Sequence, residues 1–416
     1  MTTDSARAGG TAPQLHATAG DHDNRPATML ATATVGFAVT FWAWALLSPL
    51  GATLREQLHL SAFQQALLVA VPVLVGSLGR IPVGALTDRY GARRMFPAVA
   101  LLTVLPVLYL GHAAHSFTAY LAGGFFLGLG GTTFAIGVPF VNAWFPPARR
   151  GLALGIFGAG MGGTAVSAFT TVQLTKAIGP AFPFNLVAAV LVVYAIASAR
   201  MLRDRADRPV ASGSMLGRLG VALHTTATWQ LSFLYAVAFG GFVAFSVYLP
   251  TYLVSEYQLS RADAAFRTAG FVVFAVAMRP VGGWLSDRFA PVRVLTVTFS
   301  TITALAVLAA FQLPLVPVGT AAFLGLAAAL GTGTGAVFAL VARMVAAERV
   351  GAVTGVVGAA GGLGGFFPPL VMGLVYGSLG SYTLGFVLLA ATAAAAGALT
   401  STAVRRGAAT VTPGPV

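Results

Sequence analysis

The sequence predicts an all-α integral membrane protein, with twelve transmembrane helices arranged as two six-helix bundles. Three observations predict it. Of 416 residues, 57% are hydrophobic and only 8% are charged, against about 25% charged in a soluble domain; the mean hydropathy is +0.84. Apolar runs of about 20 residues, long enough to cross a bilayer, recur between short polar connections. A membrane barrel would show segments of about ten residues with alternating polarity instead. Finally, the two halves repeat at an offset near 200 residues: Arg80, Asp88, Arg89 and Arg94 correspond to Arg279, Asp287, Arg288 and Arg293.

The elements follow in chain order. Residues 1–26 are polar and rich in Gly, Ala, Thr and Asp. They lack the basic-then-apolar order of a signal peptide, so a disordered cytoplasmic tail is expected. The first bundle is expected over 27–202, with spans at 29–52, 62–86, 95–113, 117–145, 151–173 and 180–202. A polar interruption, 203–228, holds Arg203, Arg205, Arg208 and Arg218 and reads as a cytoplasmic linker. The second bundle is expected over 229–404, with spans at 229–254, 263–286, 292–312, 316–344, 350–377 and 380–402. A second tail, 405–416, completes the chain.

Orientation follows from the loops. Arg89, Arg93, Arg94, Arg149, Arg150, Arg288, Arg293 and Arg349 fall in alternate connections, whereas the opposite connections carry only Arg55, Lys176 and Arg261. Basic residues stay on the cytoplasmic side, so both termini are expected inside. High Ala, Gly and Arg with a single Lys suggests a bacterial gene of high G+C content, hence a multi-pass protein of a bacterial cytoplasmic membrane.

The net charge of +13 is spread over these loops and forms no soluble basic patch, so nucleic acid is not an expected partner. The chain has no Cys, which excludes disulfides and thiolate metal sites. Its six His fall in the tail or near helix ends, where a solvated imidazole is the plain reading. No convergent nucleophile–base set or metal-ligand cluster appears, so neither an enzyme nor a cofactor is expected. The lipid bilayer is one partner, and a monomer is expected.

Arg80 and Arg279 carry the functional signal. Each lies in an apolar run, eight residues before an Asp-Arg pair (Asp88-Arg89 and Asp287-Arg288). Eight helical residues rise about 12 Å, so an Asp-Arg pair at the membrane surface puts each Arg well inside the bilayer. A charge there costs at least about 2.5 to 3.5 kcal/mol on an insertion scale and marks a functional site by default. Two of them, related by a repeat, suggest a central anion site. The bland alternative is a structural bond to backbone carbonyls.

The segment GALTDRYGARR resembles the loop motif of the major facilitator superfamily, and GGWLSDRFAPVR resembles its degenerate second copy. More narrowly, residues from about 30 to 400 resemble the superfamily's nitrate/nitrite porters, through GRIPVG, GLALGIFGAGMGG, AMRPVGGWLSDR and GAVTGVVGAAGGLGGFFPPL. The family's span-five motif often carries Asn between its glycines; here the run is Gly158-Ala159-Gly160-Met161-Gly162-Gly163. The resemblance implies alternating access by two rocking bundles. It implies a cytoplasmic latch rather than substrate contact for Asp88, Arg89, Arg94, Asp287 and Arg288. It also implies that Tyr235 and Phe239, one helical turn apart on one face, point at the substrate.

The implied substrate is nitrate or nitrite, a small delocalised anion. A guanidinium is planar, permanently charged and offers paired N–H donors, so one Arg from each half could grip the anion between the bundles. Phe41 and Trp44 of span one are further aromatic candidates, with packing the simpler reading. Asn142, a polar residue near the inner end of span four, is another, with helix capping as its alternative. Gly155, Gly158 and Gly162, and in the second half Gly351, Gly355, Gly358 and Gly362, fall at three- and four-residue spacing. Such small-residue faces let helices approach and slide.

All 11 acidic residues fall in tails, loops or helix ends. Without a mid-membrane carboxylate or His as proton relay, two unneutralised arginines would hinder return of the empty carrier, which favours nitrate/nitrite exchange. Open alternatives are proton-coupled uptake through Tyr or water, a carrier for another small anion such as a carboxylate, and a non-transporting anion sensor.

Overall fold

The computed structural model describes residues 25–205, 215–346, 349–379 and 381–406. The expected tails, apart from Arg25, Pro26, Arg405 and Arg406, lie outside the described residues, as do positions 206–214 of the expected linker. The described chain is helical, with no strand. Among the described residues, twelve helices are long and apolar enough to cross a membrane. Those of the first half are Pro26–Gly51, Leu67–Tyr90, Ala92–His112, Phe117–Trp144, Pro147–Ala177 and Phe182–Met201. Those of the second are Thr226–Ser246, Phe266–Phe289, Pro291–Ala310, Leu315–Met344, Val350–Pro368 and Thr383–Thr402. We call them spans one to twelve. A further short helix, Met215–His224, precedes span seven.

Local chemistry sets several boundaries. Ser61 and Gln64 form a capping box that starts the helix of span two, a reciprocal pairing that satisfies two orphan N–H groups. Ser116 and Ser260 cap spans four and eight in the same way with a side-chain oxygen. Spans two and three turn sharply at Gly91, whose φ is 84°, a conformation that glycine adopts without penalty. The equivalent turn between spans eight and nine is made by Ala290 at φ 67°. The Asp204 carboxylate accepts from the amides of Ala92 (3.0 Å) and Arg93 (3.4 Å), holding the start of span three.

The halves are not built alike midway along the spans. Span four tightens into a 3-10 stretch at Gly128–Thr132, and span five does so at Ala159–Gly162. Their counterparts, Thr320–Met344 and Val350–Leu379, are unbroken α-helices. Glycine-rich runs tolerate the change of hydrogen-bond register because no side chains eclipse.

Span two packs against span eleven, and span five against span eight. The closest approaches are between backbones. A side chain at Gly84 would strike the main chain of Gly351, and one at Gly283 would strike that of Gly151. A side chain at Gly355 would meet the Arg80 carbonyl, and one at Gly155 the Arg279 carbonyl. Gly362 faces the Ser77 side chain, whereas nothing lies within 4 Å of a Cβ at Gly162.

Candidate functional site

The site is built from the two interior arginines. Arg80 is 3% exposed and Arg279 only 1%. Arg80 Nη1 donates to the carbonyl of Gly358 in span eleven at 2.8 Å, and its Nε donates to that of Gly131 in span four at 3.1 Å. Arg279 Nη1 donates to the carbonyl of Gly158 in span five at 3.0 Å. Each guanidinium therefore reaches across to the opposite half, onto glycines at equivalent places in the repeat. The remaining contacts of Arg279 differ. Its Nη2 meets the Met161 sulfur at 3.0 Å, and its Nε is buried with no hydrogen-bond partner. An unmade bond of this kind costs about 1–3 kcal/mol, and such exceptions call for an explanation.

The glycines shape this contact. Gly358 lies against the Arg80 side chain and Gly158 against that of Arg279. Both carbonyls are reachable because no side chain stands in the way. Among the described residues, neither guanidinium meets a carboxylate, and the buried charged side chains are Arg80, Arg279 and Asp88. Backbone dipoles and aromatic faces compensate burial of a charge only in part.

The two arginines converge on one ring. Arg80 Cζ lies 5.9 Å and Arg279 Cζ 5.5 Å from the centroid of Phe239. The Tyr235 ring stacks on Phe239 at 5.0 Å with 3° between the planes, as their one-turn spacing allows. Phe41 lies 6.0 Å from Arg80 Cζ. Three aromatics that the sequence did not single out complete the surround. Phe134 lies 5.5 Å from Arg80, Phe242 lies 5.1 Å from Arg279, and Phe338 meets Tyr235 edge-on at 4.7 Å. Trp44 packs behind Phe41 at 4.9 Å and donates its indole N–H to the Pro72 carbonyl at 2.8 Å. Met161, also not singled out as a site residue, touches Arg279 directly.

Asn142 is not brought to this cluster. It lies eleven residues beyond Gly131, about 16 Å along a helix, and lines a cavity of about 110 Å³ with Asp88, Arg150 and Asp204. Its side chain is 6% exposed, and its Oδ1 has no partner. A larger apolar cavity of about 410 Å³, lined by Phe233, Phe245, Phe367 and Leu388, holds no charged side chain; it offers nothing to an anion.

The Asp-Arg motifs sit across one end of the same crossings. Asp88 accepts from the Ala352 amide at 3.0 Å, at the start of span eleven. Asp287 accepts from the amides of Gly151 (2.8 Å) and Leu152 (2.7 Å), at the start of span five. A carboxylate on the free N–H groups of a helix start is favourable in both charge and geometry. Arg89 lies over the Tyr90 ring, and Arg288 over Trp284 and Phe289; Arg94 is exposed. No three His, Asp or Glu gather as a metal site among the described residues.

Comparison with known proteins gives the same architecture a family. The Major Facilitator Superfamily profile matches residues 33–330 and 231–414. The chain is 50% identical to the "Probable nitrate/nitrite transporter NarK2" of Mycobacterium tuberculosis, covering 88% of this chain and 94% of that protein. It is 37% identical to the "Nitrite extrusion protein" of Bacillus subtilis, over 89% of this chain and 93% of that one. With the "Probable nitrate transporter NarT" of Staphylococcus epidermidis the identity is 35%, over 87% and 92%. Among solved structures, the human organic anion transporter MFSD10 aligns with a TM-score of 0.74 at 16% identity, covering 90% of this chain and 99% of that one. FucP in its outward conformation aligns at 0.71 and 19%, covering 90% and 98%. At such identities the structures speak for the fold alone; with the relatives they lead to one assignment. The chain belongs to the major facilitator superfamily and, within it, to the nitrate/nitrite porter family.

Proposed function

We propose that this protein carries nitrate and nitrite across a bacterial cytoplasmic membrane by alternating access, as an exchanger, with both termini in the cytoplasm. The observation that carries the reading is the meeting of two buried arginines, one from each half, at the single ring of Phe239 without a carboxylate between them. The names of the relatives support the choice of anion.

The chemistry fits a planar, weakly basic anion. Guanidinium N–H groups point charge and hydrogen bonds at its oxygens, while Phe239 and Tyr235 supply flat faces that exclude water and fix the plane. The anion neutralises part of the charge that the two arginines bring to the bilayer centre. A loaded carrier then reorients more readily than an unloaded one, which is the condition for exchange. Opening towards the cytoplasm requires release of the amide bonds to Asp88 and Asp287. The glycine contacts of spans five and eleven allow the helices to move past each other without side-chain obstruction.

The reading is tested by nitrate entry into proteoliposomes. Internal nitrite should accelerate entry, and Arg279→Lys should abolish that acceleration. Uptake that needs a pH gradient and no internal anion would instead make the protein a proton symporter. Flux of formate or oxalate with none of nitrate or nitrite would move the assignment to small carboxylates.

A further inference from the structure

We infer that Met161 is a positioning residue that holds Arg279 in the unloaded carrier and yields its place to the anion. The inference rests on the reading just proposed, in which Arg279 grips the substrate.

The argument starts from the unequal settings of the two arginines. Arg80 places Nε and Nη1 on two main-chain carbonyls, Gly131 and Gly358. A carbonyl fixed in a helix backbone is a strong acceptor that does not move aside. Arg279 has one such tie, Gly158. Its Nη2 rests on the Met161 sulfur and its Nε on nothing. A thioether is a weak acceptor at the end of a side chain with three rotatable bonds. Met161 is buried, at 5% exposure, at the 3-10 stretch Ala159–Gly162, beside a glycine with open space around its Cβ position. A thioether on three rotatable bonds gives way more readily than a main-chain carbonyl does.

The outer edge of Arg279 is thus the part of the pair that is cheapest to free. Two oxygens of a planar anion can take these N–H groups, one replacing sulfur on Nη2 and the other meeting the unused Nε, giving the two-point contact that a guanidinium makes best. Met161 keeps Nη2 from pairing with water or lipid groups while the site is unloaded. It competes with the anion only weakly, and that weakness sets the affinity.

The test uses the full-length protein. Nitrate Kd is measured by titration calorimetry, and KM and kcat by nitrite-loaded proteoliposome exchange. Met161→Leu keeps the volume but removes the acceptor. Its nitrate Kd and KM should fall by about twofold to tenfold, the range of one modest hydrogen bond, with kcat lowered because release slows. Met161→Gln offers a stronger acceptor and should shift both constants the opposite way. A merely structural role for Met161 would lower kcat without lowering KM. Unchanged constants in both variants, or shifts in the same direction, would overturn the inference. Arg279→Lys is measured alongside. If it loses nitrate while both Met161 variants match wild type, only the role of Met161 fails. If it binds nitrate as wild type does, the Arg-centred reading fails and takes this inference with it.

Discussion

The crossing of spans two and eleven and the crossing of spans five and eight use equivalent residues, yet they agree at one end and differ at the middle. At the end that carries the Asp-Arg pairs both close by the same device. An Asp carboxylate takes the amides at a helix start, above a contact of glycine backbones: Asp88 with Gly84 and Gly351, Asp287 with Gly283 and Gly151. Midway along the spans Arg80 is tied to two carbonyls while Arg279 has one, a sulfur and an unused N–H. The cause lies in the neighbouring helix. Gly131 sits in the 3-10 stretch of span four and presents its carbonyl to Arg80, whereas span ten runs as an unbroken α-helix past Arg279. Symmetry is kept where the Asp carboxylates cross and lost where the two arginines lie.

The sharpest way to break this comparison is to treat the arginines alike. Arg80→Lys and Arg279→Lys should both reduce transport, but they should differ in stability. Arg80→Lys gives up two bonds from a charged donor to carbonyls, each worth about 1.5–3 kcal/mol; Arg279→Lys gives up one and a weak contact to sulfur. Thermal unfolding in detergent should show the larger loss for Arg80→Lys, and equal losses would remove the asymmetry argued here.

Smaller effects are expected from the glycines. Gly155→Ala and Gly355→Ala each force a methyl against the carbonyl of an arginine, an overpacking that costs about 1–3 kcal/mol. Gly162→Ala, with nothing within 4 Å, should stay within about 0.5 kcal/mol of wild type. Exchange rates and melting temperatures of the three variants check this; a damaging Gly162→Ala would mean that span five packs there in another state of the cycle.

The smallest expected change concerns the latch. Asp88→Asn and Asp287→Asn keep an acceptor but lose the charge facing a helix start, worth about 0.3–1 kcal/mol. That shifts the balance between conformations by about twofold to fivefold and slows exchange, while the change in nitrate Kd stays within the same factor. A much greater loss of affinity in either variant would place that Asp in the site rather than in the latch.

Much of this was legible in the sequence because charge is rare in a bilayer. Arg80 and Arg279 stand out against apolar neighbours, the Asp-Arg pairs fix their depth, and the repeat relates them. Tyr235 and Phe239 were legible through the resemblance to the porters, their one-turn spacing adding only that they share a face, and their rings do stack. Phe134, Phe242 and Phe338 were not, since a Phe in a membrane helix carries the same signal whether it faces lipid, core or substrate. Met161 was hidden for the same reason: a thioether contact to a guanidinium has no sequence pattern. Asn142 illustrates the converse. Its polarity attracted notice, but its place near the end of span four, legible in the sequence, puts it in the cavity beside Asp88 and away from the arginines. The availability of the Gly131 carbonyl depends on a local change of helix type, which hydropathy and residue spacing do not encode.

The central claim is that one anion is held jointly by Arg80 and Arg279. A double-mutant cycle tests it most directly: nitrate Kd is measured for wild type, Arg80→Lys, Arg279→Lys and the double variant. A shared anion makes the two losses interdependent, with a coupling of at least about 1 kcal/mol. Losses that add to within about 0.5 kcal/mol would mean that the arginines act separately, and would contradict the account.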